Sequence, residues 1–435
     1  MTTDSMQRVR QLGDKVVGLA RTRTGRSSMV IFAASLFSAA LAFVVAYFAA
    51  RTLGPESYGR LATANAIVVV IVGLTDFGVS TALVRFTSEH LNDKPRVAPY
   101  FQGALRLQLL VVLVILAIVP FTPRLAEFLG GPEMRLPLYI GLISSLFLSL
   151  GTYTNALLQT YQRFKVIASL NAGLSTLRTV LYLSLVLTSA LTLLNALVAN
   201  LVVAVLTLAV GMYLRPRIGV RSSWLEQKLA LKEMYRFGKW LVVSYALNAV
   251  LSRLDLVMLA HLRPASEVGH YAVALQLAMF MPLLLSSLTT VLVPKVSALP
   301  DSEVRSYLRN TLFGAAAVAA VLIPLVLLAG PVIEFVFGDK YAGAVQPFQL
   351  IMGSFILTLF INPPTLLFYK WNKPKILTYM NVITATTLVV LMFVLTQRFG
   401  AVGAAWALVI NAAFSGCVFA VLLRYQLERV ESVAS

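Results

Sequence analysis

Long apolar runs alternate with short polar connections along nearly the whole chain. A helix needs about 20 apolar residues to cross about 30 Å of hydrocarbon. Twelve runs meet that length: residues 29–50, 61–84, 98–119, 137–159, 166–188, 191–213, 238–261, 270–293, 309–330, 347–368, 376–396 and 401–423. The fifth and sixth are parted only by the stretch around Ser189–Thr192, the weakest of the boundaries. The pattern predicts an all-α polytopic membrane protein with about twelve transmembrane helices.

The pattern repeats. RTLGPESYGRLATA, residues 51–64, joins the first two runs, and HLRPASEVGHYAVA, residues 261–274, joins the seventh and eighth. Leu53 and Pro55 match Leu262 and Pro264, Gly59 matches Gly269, and Ala64 matches Ala274. TALVRFTS (81–88) faces TVLVPKVS (290–297), Tyr161 faces Tyr369, LNAG (170–173) faces MNVI (380–383), and ALVAN (196–200) faces ALVIN (407–411). The offset stays between 208 and 211 residues throughout. Each half holds six runs, an even number, so both enter the bilayer from the same side. The repeat is therefore of the parallel kind, with a pseudo-two-fold axis along the membrane normal. The expected organisation is an N-terminal tail (1–28), a six-helix lobe (29–213), a linker (214–237), a second six-helix lobe (238–423) and a C-terminal tail (424–435), with a central cavity between the lobes. The Pro/Gly turn is the hairpin joining the first two helices of each lobe, where neither residue favours continuing a helix.

Composition fixes the solvent. Hydrophobic residues make up 58% of the 435 residues and charged ones 12%, against roughly 45–50% and 25% in soluble domains. The single cysteine, Cys417, excludes an intramolecular disulfide, and the three histidines have no metal-ligand spacing. The N-terminal segment lacks a secretory-signal pattern and reads as retained. A net charge of +18 has a membrane explanation that needs no nucleic acid. Of the 36 Lys and Arg, 26 fall on the side that holds both termini and the linker, 7 on the opposite side and 3 inside spans. That asymmetry predicts both termini in the cytoplasm. Met6, Val9, Leu12, Val16 and Leu19, spaced among Arg and Lys, fit either an interfacial helix or a solvated basic tail.

At this point the chain resembles a known family. RTLGPESYGRLATANAIVVVIVGLTDFGVSTALVRF (51–86) is similar to the opening signature of the polysaccharide biosynthesis flippases, O-antigen-flippase-like members of the multidrug/oligosaccharidyl-lipid/polysaccharide exporter superfamily. The match runs through Asp76, Gly78, Ser80, Ala82 and Arg85, and again through Asp255, Gly269, Tyr271 and Ala274 in the second half. Arg60-Leu61 departs from it. The resemblance implies a flippase that carries a polyprenyl-diphosphate-linked oligosaccharide from the inner to the outer leaflet of the cell inner membrane by alternating access. The lipid-linked oligosaccharide, the bilayer and other polysaccharide assembly proteins are the partners it implies. A drug or metabolite antiporter of the same superfamily is the alternative.

Charge within the spans bears on that choice. An ionised side chain at the bilayer centre costs about 2.5–3.5 kcal/mol on insertion scales. Arg178 lies halfway along the fifth span and Arg253 in the outer-middle of the seventh. Arg106 sits where it can snorkel, and Arg85 ends the second span. Read functionally, these four hold a diphosphate and acidic sugars, since guanidinium pairs its N–H donors with phosphate oxygens. Read structurally, they form internal ion pairs or snorkel. Ser244, Asn248, Ser252 and Asp255 share a face at three- and four-residue spacing, which predicts a polar cavity wall on the seventh span. Asp76 and Asp255 are candidates for a coupling proton or sodium ion; no other cofactor is expected. Organic-cation exporters need acids in the cavity, whereas Arg outnumbers Asp in these spans. The external connections 120–136 and 331–346 are short and lack His, and no GxxxxGK[ST] loop occurs, so the expectation is a transporter that is not an enzyme.

Overall fold

The structure, a computed structural model, describes residues 23–76, 78–216, 219–371 and 374–434. The expected surface segment 6–19 lies outside them. The helices of the first half are α1 (Arg23–Thr75), α2 (Val79–Thr87), α3 (Lys94–Ile118), α4 (Thr122–Phe128), α5 (Arg135–Thr160), α6 (Phe164–Leu187) and α7 (Leu193–Leu214). The second half follows with α8 (Trp224–Leu251), α9 (Leu254–Leu262), α10 (Ala265–Leu277), α11 (Phe280–Ser297), α12 (Val304–Leu327), α13 (Ala329–Phe337), α14 (Val345–Thr365), α15 (Leu367–Lys370) and α16 (Pro374–Ala434).

Among the described residues nine helical stretches are long and apolar enough to cross a bilayer, and a bent pair makes a tenth. Two of the nine run 58 and 51 residues, or about 75–90 Å, more than twice the hydrocarbon thickness. Each is broken at a glycine with positive φ, Gly54 at 74° and Gly400 at 61°. Each thus supplies two crossings, which brings the total to the expected twelve. Gly54 takes a backbone conformation closed to most L-residues, and Pro55 starts the next leg with its φ preset. The doubtful boundary between the fifth and sixth crossings is real: α6 stops at Leu187, and Thr192 caps α7 by accepting from the Asn195 N–H at 3.3 Å.

Three spans that the hydrophobic pattern reads as continuous are broken. The second breaks at residues 76–78, where the Asp76 carbonyl accepts from the Val79 N–H at 2.8 Å and its carboxylate receives the Ser80 hydroxyl. The seventh breaks at Ser252–Arg253 with a 49° bend between its halves. There the Asp255 carboxylate accepts the Leu256 N–H at 2.8 Å, satisfying one of the donors that a helix start leaves unpaired. The eighth breaks between Leu277 and Phe280.

The buried side chains fall into an uneven pattern. At the end carrying the Pro/Gly turns, one core runs through both halves, with Tyr58, Leu61 and Leu138 from the first packed with Leu259, Tyr271, Val273 and Ile333 from the second. At the end carrying the basic connections, each half has its own core. One is built on Leu83, Phe101 and Leu157, the other on Val296, Val304 and Leu367. The two lobes thus share one core at the turn end; at the basic end their cores are separate, and the linker helix with the start of the seventh span packs on the first lobe, where Tyr245 and Thr81 share a hydrogen bond at 2.9 Å.

The join rests on a backbone crossing. A Cβ at Gly59 would lie 2.9 Å from the backbone nitrogen of Gly269, and one at Gly269 would lie 2.8 Å from the carbonyl carbon of Pro55. The two glycines are repeat mates, so the contact is nearly self-complementary about the pseudo-two-fold axis. In lipid, helix association depends on such close approach of small residues. Two further contacts tie the same end: the Tyr341 hydroxyl donates to the Ala50 carbonyl at 2.8 Å, and the His261 ring stacks on Phe128 at 3.9 Å.

The basic linker is helical. Ser223 and Glu226 form a capping box at the start of α8, and the Ser223 N–H holds the Glu226 carboxyl below its ordinary range. The linker then continues unbroken into the seventh span. It lies against α3, where the Gln227 amide donates to Gln102 at 3.0 Å, and it buries Met234 among first-lobe residues.

Replacing Gly59 by Leu forces the crossing helices apart. In a Cys417→Ala background, an Asn65→Cys thiol is then expected to react with an impermeant maleimide from the turn end. In the parent with Gly59 intact the same thiol is expected to stay protected.

Candidate functional site

A cavity of about 330 Å³ lies beneath the crossing, between the lobes. Its first-lobe wall is made by both legs of α1 with α5, α6 and α7; the second lobe contributes Arg253 and Gln276. The α1 leg presents Ala42, Ala46 and Ala49, a face of small side chains at helical spacing that leaves the space open.

Two of the polar groups around it are arginines, Arg178 and Arg253, and among the described residues no carboxylate lines it. The amides and hydroxyls are mostly engaged. The Asn200 amide donates to Asn65 at 3.3 Å, the Tyr182 hydroxyl to the Ala196 carbonyl at 3.2 Å, and the Gln276 amide to the Met279 sulfur at 2.7 Å. Arg178 is different: its Nε is fully buried and has no hydrogen-bond partner. An unpaired buried donor on a charged group costs stability, and an anion in the cavity would remove that cost.

The break in the seventh span sets Arg253. It is the residue preceding α9, with φ −138° and ψ 14°, so the N-terminal end of a helix opens beside its guanidinium. A helix N-terminus carries partial positive charge, and a cation there is unfavourable. Asp255 offsets this, accepting Leu256 N–H at 2.8 Å and the buried Tyr271 hydroxyl at 3.1 Å. The cavity face carries two arginines, Arg178 and Arg253, whose guanidiniums suit an anion.

The remaining residues singled out by the sequence lie elsewhere. Arg85 stacks on the Phe237 ring at 4.7 Å and Arg106 on the Trp224 ring at 4.7 Å, both exposed and both braced against the linker helix. Asn248 and Ser252 donate to their own helix, to the Ser244 and Ala249 carbonyls at 2.8 Å each, and neither lines the cavity. The expected stripe from Ser244 to Asp255 does not survive as one face, because the bend interrupts it. Asp76 and Asp255 stand at two of the helix breaks. Asn65, Asn200, Tyr182 and Gln276 line the cavity and escaped sequence reasoning. An amide inside an apolar run is the signal that was present for three of them.

The chain matches a family described as "Polysaccharide biosynthesis protein" over residues 24–300. It is 24% identical over 406 residues to a probable low-salt glycan biosynthesis flippase, Agl15, of Haloferax volcanii, covering 89% of this chain and 81% of that one. It is 22% identical over 403 residues to a putative O-antigen transporter of Shigella flexneri, covering 89% and 93%. Among solved structures, the lipid II flippase MurJ in an inward closed conformation superposes with a TM-score of 0.73 at 14% identity, covering 91% of this chain and 87% of that one. The fold is the twelve-helix, two-lobe fold of such transporters.

Farnesyl diphosphate serves as a minimal probe of the cavity. Arg178→Ala and Arg253→Ala are each expected to weaken its binding about ten- to a hundredfold, the worth of a hydrogen bond to a charged group. Arg106→Ala is expected to leave it unchanged. Titration calorimetry of the purified protein reads both.

Proposed function

Because the chain belongs to the polysaccharide biosynthesis protein family, we propose that it flips a polyprenyl-diphosphate-linked oligosaccharide across the cell inner membrane. The observation that carries the reading is the cavity: two arginines, one from each lobe, and among the described residues no carboxylate in its lining, beneath a core that the lobes share at the turn end. Such a cavity suits an anionic head group and repels the organic cations that an acid-lined exporter takes.

In this reading the basic end faces the cytoplasm with both termini, as the Lys and Arg asymmetry directs. The lobes, separate at that end, admit the head group. Arg178 from the first lobe and Arg253 from the second take the diphosphate between them, and the prenyl chain stays in lipid. Binding the same anion from both sides draws the basic ends together. The crossing at Gly59 and Gly269 then parts and the head group leaves on the opposite side. The cycle breaks no covalent bond. Asp76 and Asp255 stay the candidates for a coupling proton or sodium ion, each at a helix break whose geometry depends on its charge.

The test is flipping in proteoliposomes. A fluorescent polyprenyl-diphosphate oligosaccharide is scored by its accessibility to an impermeant reagent. Protein-dependent flipping is expected, with a rate at least about tenfold lower in Arg178→Ala, from the loss of one charge-assisted contact. Absence of flipping with several different glycans would refute the proposal.

A further inference from the structure

A second cavity, about 400 Å³, opens beside the first inside the N-terminal lobe, and Arg178 lies in the wall of both. The same face of the first α1 leg runs past each. Ala42, Ala46 and Ala49 border the central cavity, and Ser35 and Ser38, one to two turns nearer the basic end, border the second. Asn171 and Ser175 of α6 and Thr207 of α7 complete its polar lining.

What marks this bay is the state of its polar groups. In an apolar surround a Ser or Thr hydroxyl ordinarily satisfies itself on a carbonyl one turn back in its own helix. On α6, Thr176, Thr179 and Ser184 do so at 2.9, 2.9 and 2.8 Å. Asn171 and Ser175 on that same helix make no side-chain hydrogen bond among the described residues, and neither do Ser35 and Ser38 opposite them. The Ser38 hydroxyl and the Arg178 Nε are both fully buried and unpartnered. Thr207 donates to the Val203 carbonyl at 2.7 Å but keeps its lone pairs to accept. The bay therefore offers several donors and acceptors converging from three helices, with a guanidinium at its inner end. The cavity of about 470 Å³ in the C-terminal lobe offers the opposite, a lining dominated by Leu357, Phe360, Ile361, Phe368 and Phe419. Lipid acyl chains have no use for such donors, whereas a sugar ring carries hydroxyls on several sides and needs them.

We infer that this bay binds a sugar of the carried glycolipid, the one linked directly to the diphosphate. Its place follows from Arg178: a group held by that side chain on the central face puts whatever is bonded to it at the mouth of the bay. The volume lies at the small end of ligand sites, about 300–1,000 Å³, which suits one or two sugar rings and not a whole oligosaccharide. The N-terminal lobe thus selects the sugar, while the C-terminal lobe contributes Arg253 and Gln276 to the central cavity. This inference rests on the flippase reading.

The test compares two kinds of probe on the full-length protein in nanodiscs: a short-chain prenyl diphosphate, and the same lipid carrying one glucose, galactose or N-acetylhexosamine. Wild type is expected to bind at least one glycosylated probe about tenfold more tightly than the bare diphosphate, the worth of one or two hydrogen bonds in a dry site. Ser38→Ala combined with Asn171→Leu is expected to abolish that preference and keep bare-diphosphate binding, which also shows the variant to be folded. A Ser175→Cys thiol, in a Cys417→Ala background, is expected to be shielded from maleimide by the preferred glycosylated probe and not by the bare one. A preference that survives the double substitution overturns the inference, as does a thiol shielded equally by both probes. Failure of wild type to bind either probe overturns the flippase reading itself.

Discussion

Everything in this structure hangs on one place where two backbones touch. The helix that begins at Pro55 crosses the helix that begins at Ala265, and the approach is so close that Gly59 and Gly269 have no room for a side chain. Lipid tails give no hydrophobic reason for two apolar helices to associate, so packing of small residues has to do it. This explains why the same Pro/Gly turn stands at the start of both halves. The repeated sequence is the two sides of one contact, brought face to face by the pseudo-two-fold axis. The shared core, the Tyr341–Ala50 hydrogen bond and the His261–Phe128 stack gather at that end. At the other end each lobe has its own core, and the linker helix packs on the first.

The cavity lies beneath this contact, between the lobes. Its energetics are strained on purpose of binding. Arg178 keeps a buried donor unpaired, and Arg253 stands beside a helix N-terminus whose charge it shares in sign. Each lobe supplies one arginine to the cavity wall. At the break in the seventh span Arg253 lines the cavity and the Asp255 carboxylate accepts from Tyr271. The two lobes share a plan and differ in chemistry, since Ser35, Ser38, Asn171 and Ser175 line a bay of the first lobe beside Arg178.

The spans, their number and the repeat were legible in the sequence because they depend on length and hydrophobicity, which every residue in a run reports. Gly59 and Gly269 were visible as repeat mates, yet nothing local says that they touch. The breaks were not legible. The seventh span carries neither Pro nor Gly at Ser252–Arg253, so tertiary packing makes that bend, and a face drawn across it from Ser244 to Asp255 is interrupted. The arginines show the same limit. Arg178, Arg253, Arg85 and Arg106 look alike as costly charges in apolar runs. Two enter the cavity and two stack on Phe237 and Trp224 of a linker helix far along the chain, a distinction that only the packing of that helix against α3 supplies.

In the proposed cycle the lobes rock, the basic end closing as this crossing parts. Paired spin labels test it most directly: one pair across the turn end at Arg124 and Lys340, one across the basic end at Arg163 and Ser302, each measured with and without lipid-linked saccharide in nanodiscs. The account predicts reciprocal change, with the basic-end distance shortening and the turn-end distance lengthening on addition of substrate. Distances that lengthen together, or a turn end that stays fixed while the protein flips its substrate, would contradict it.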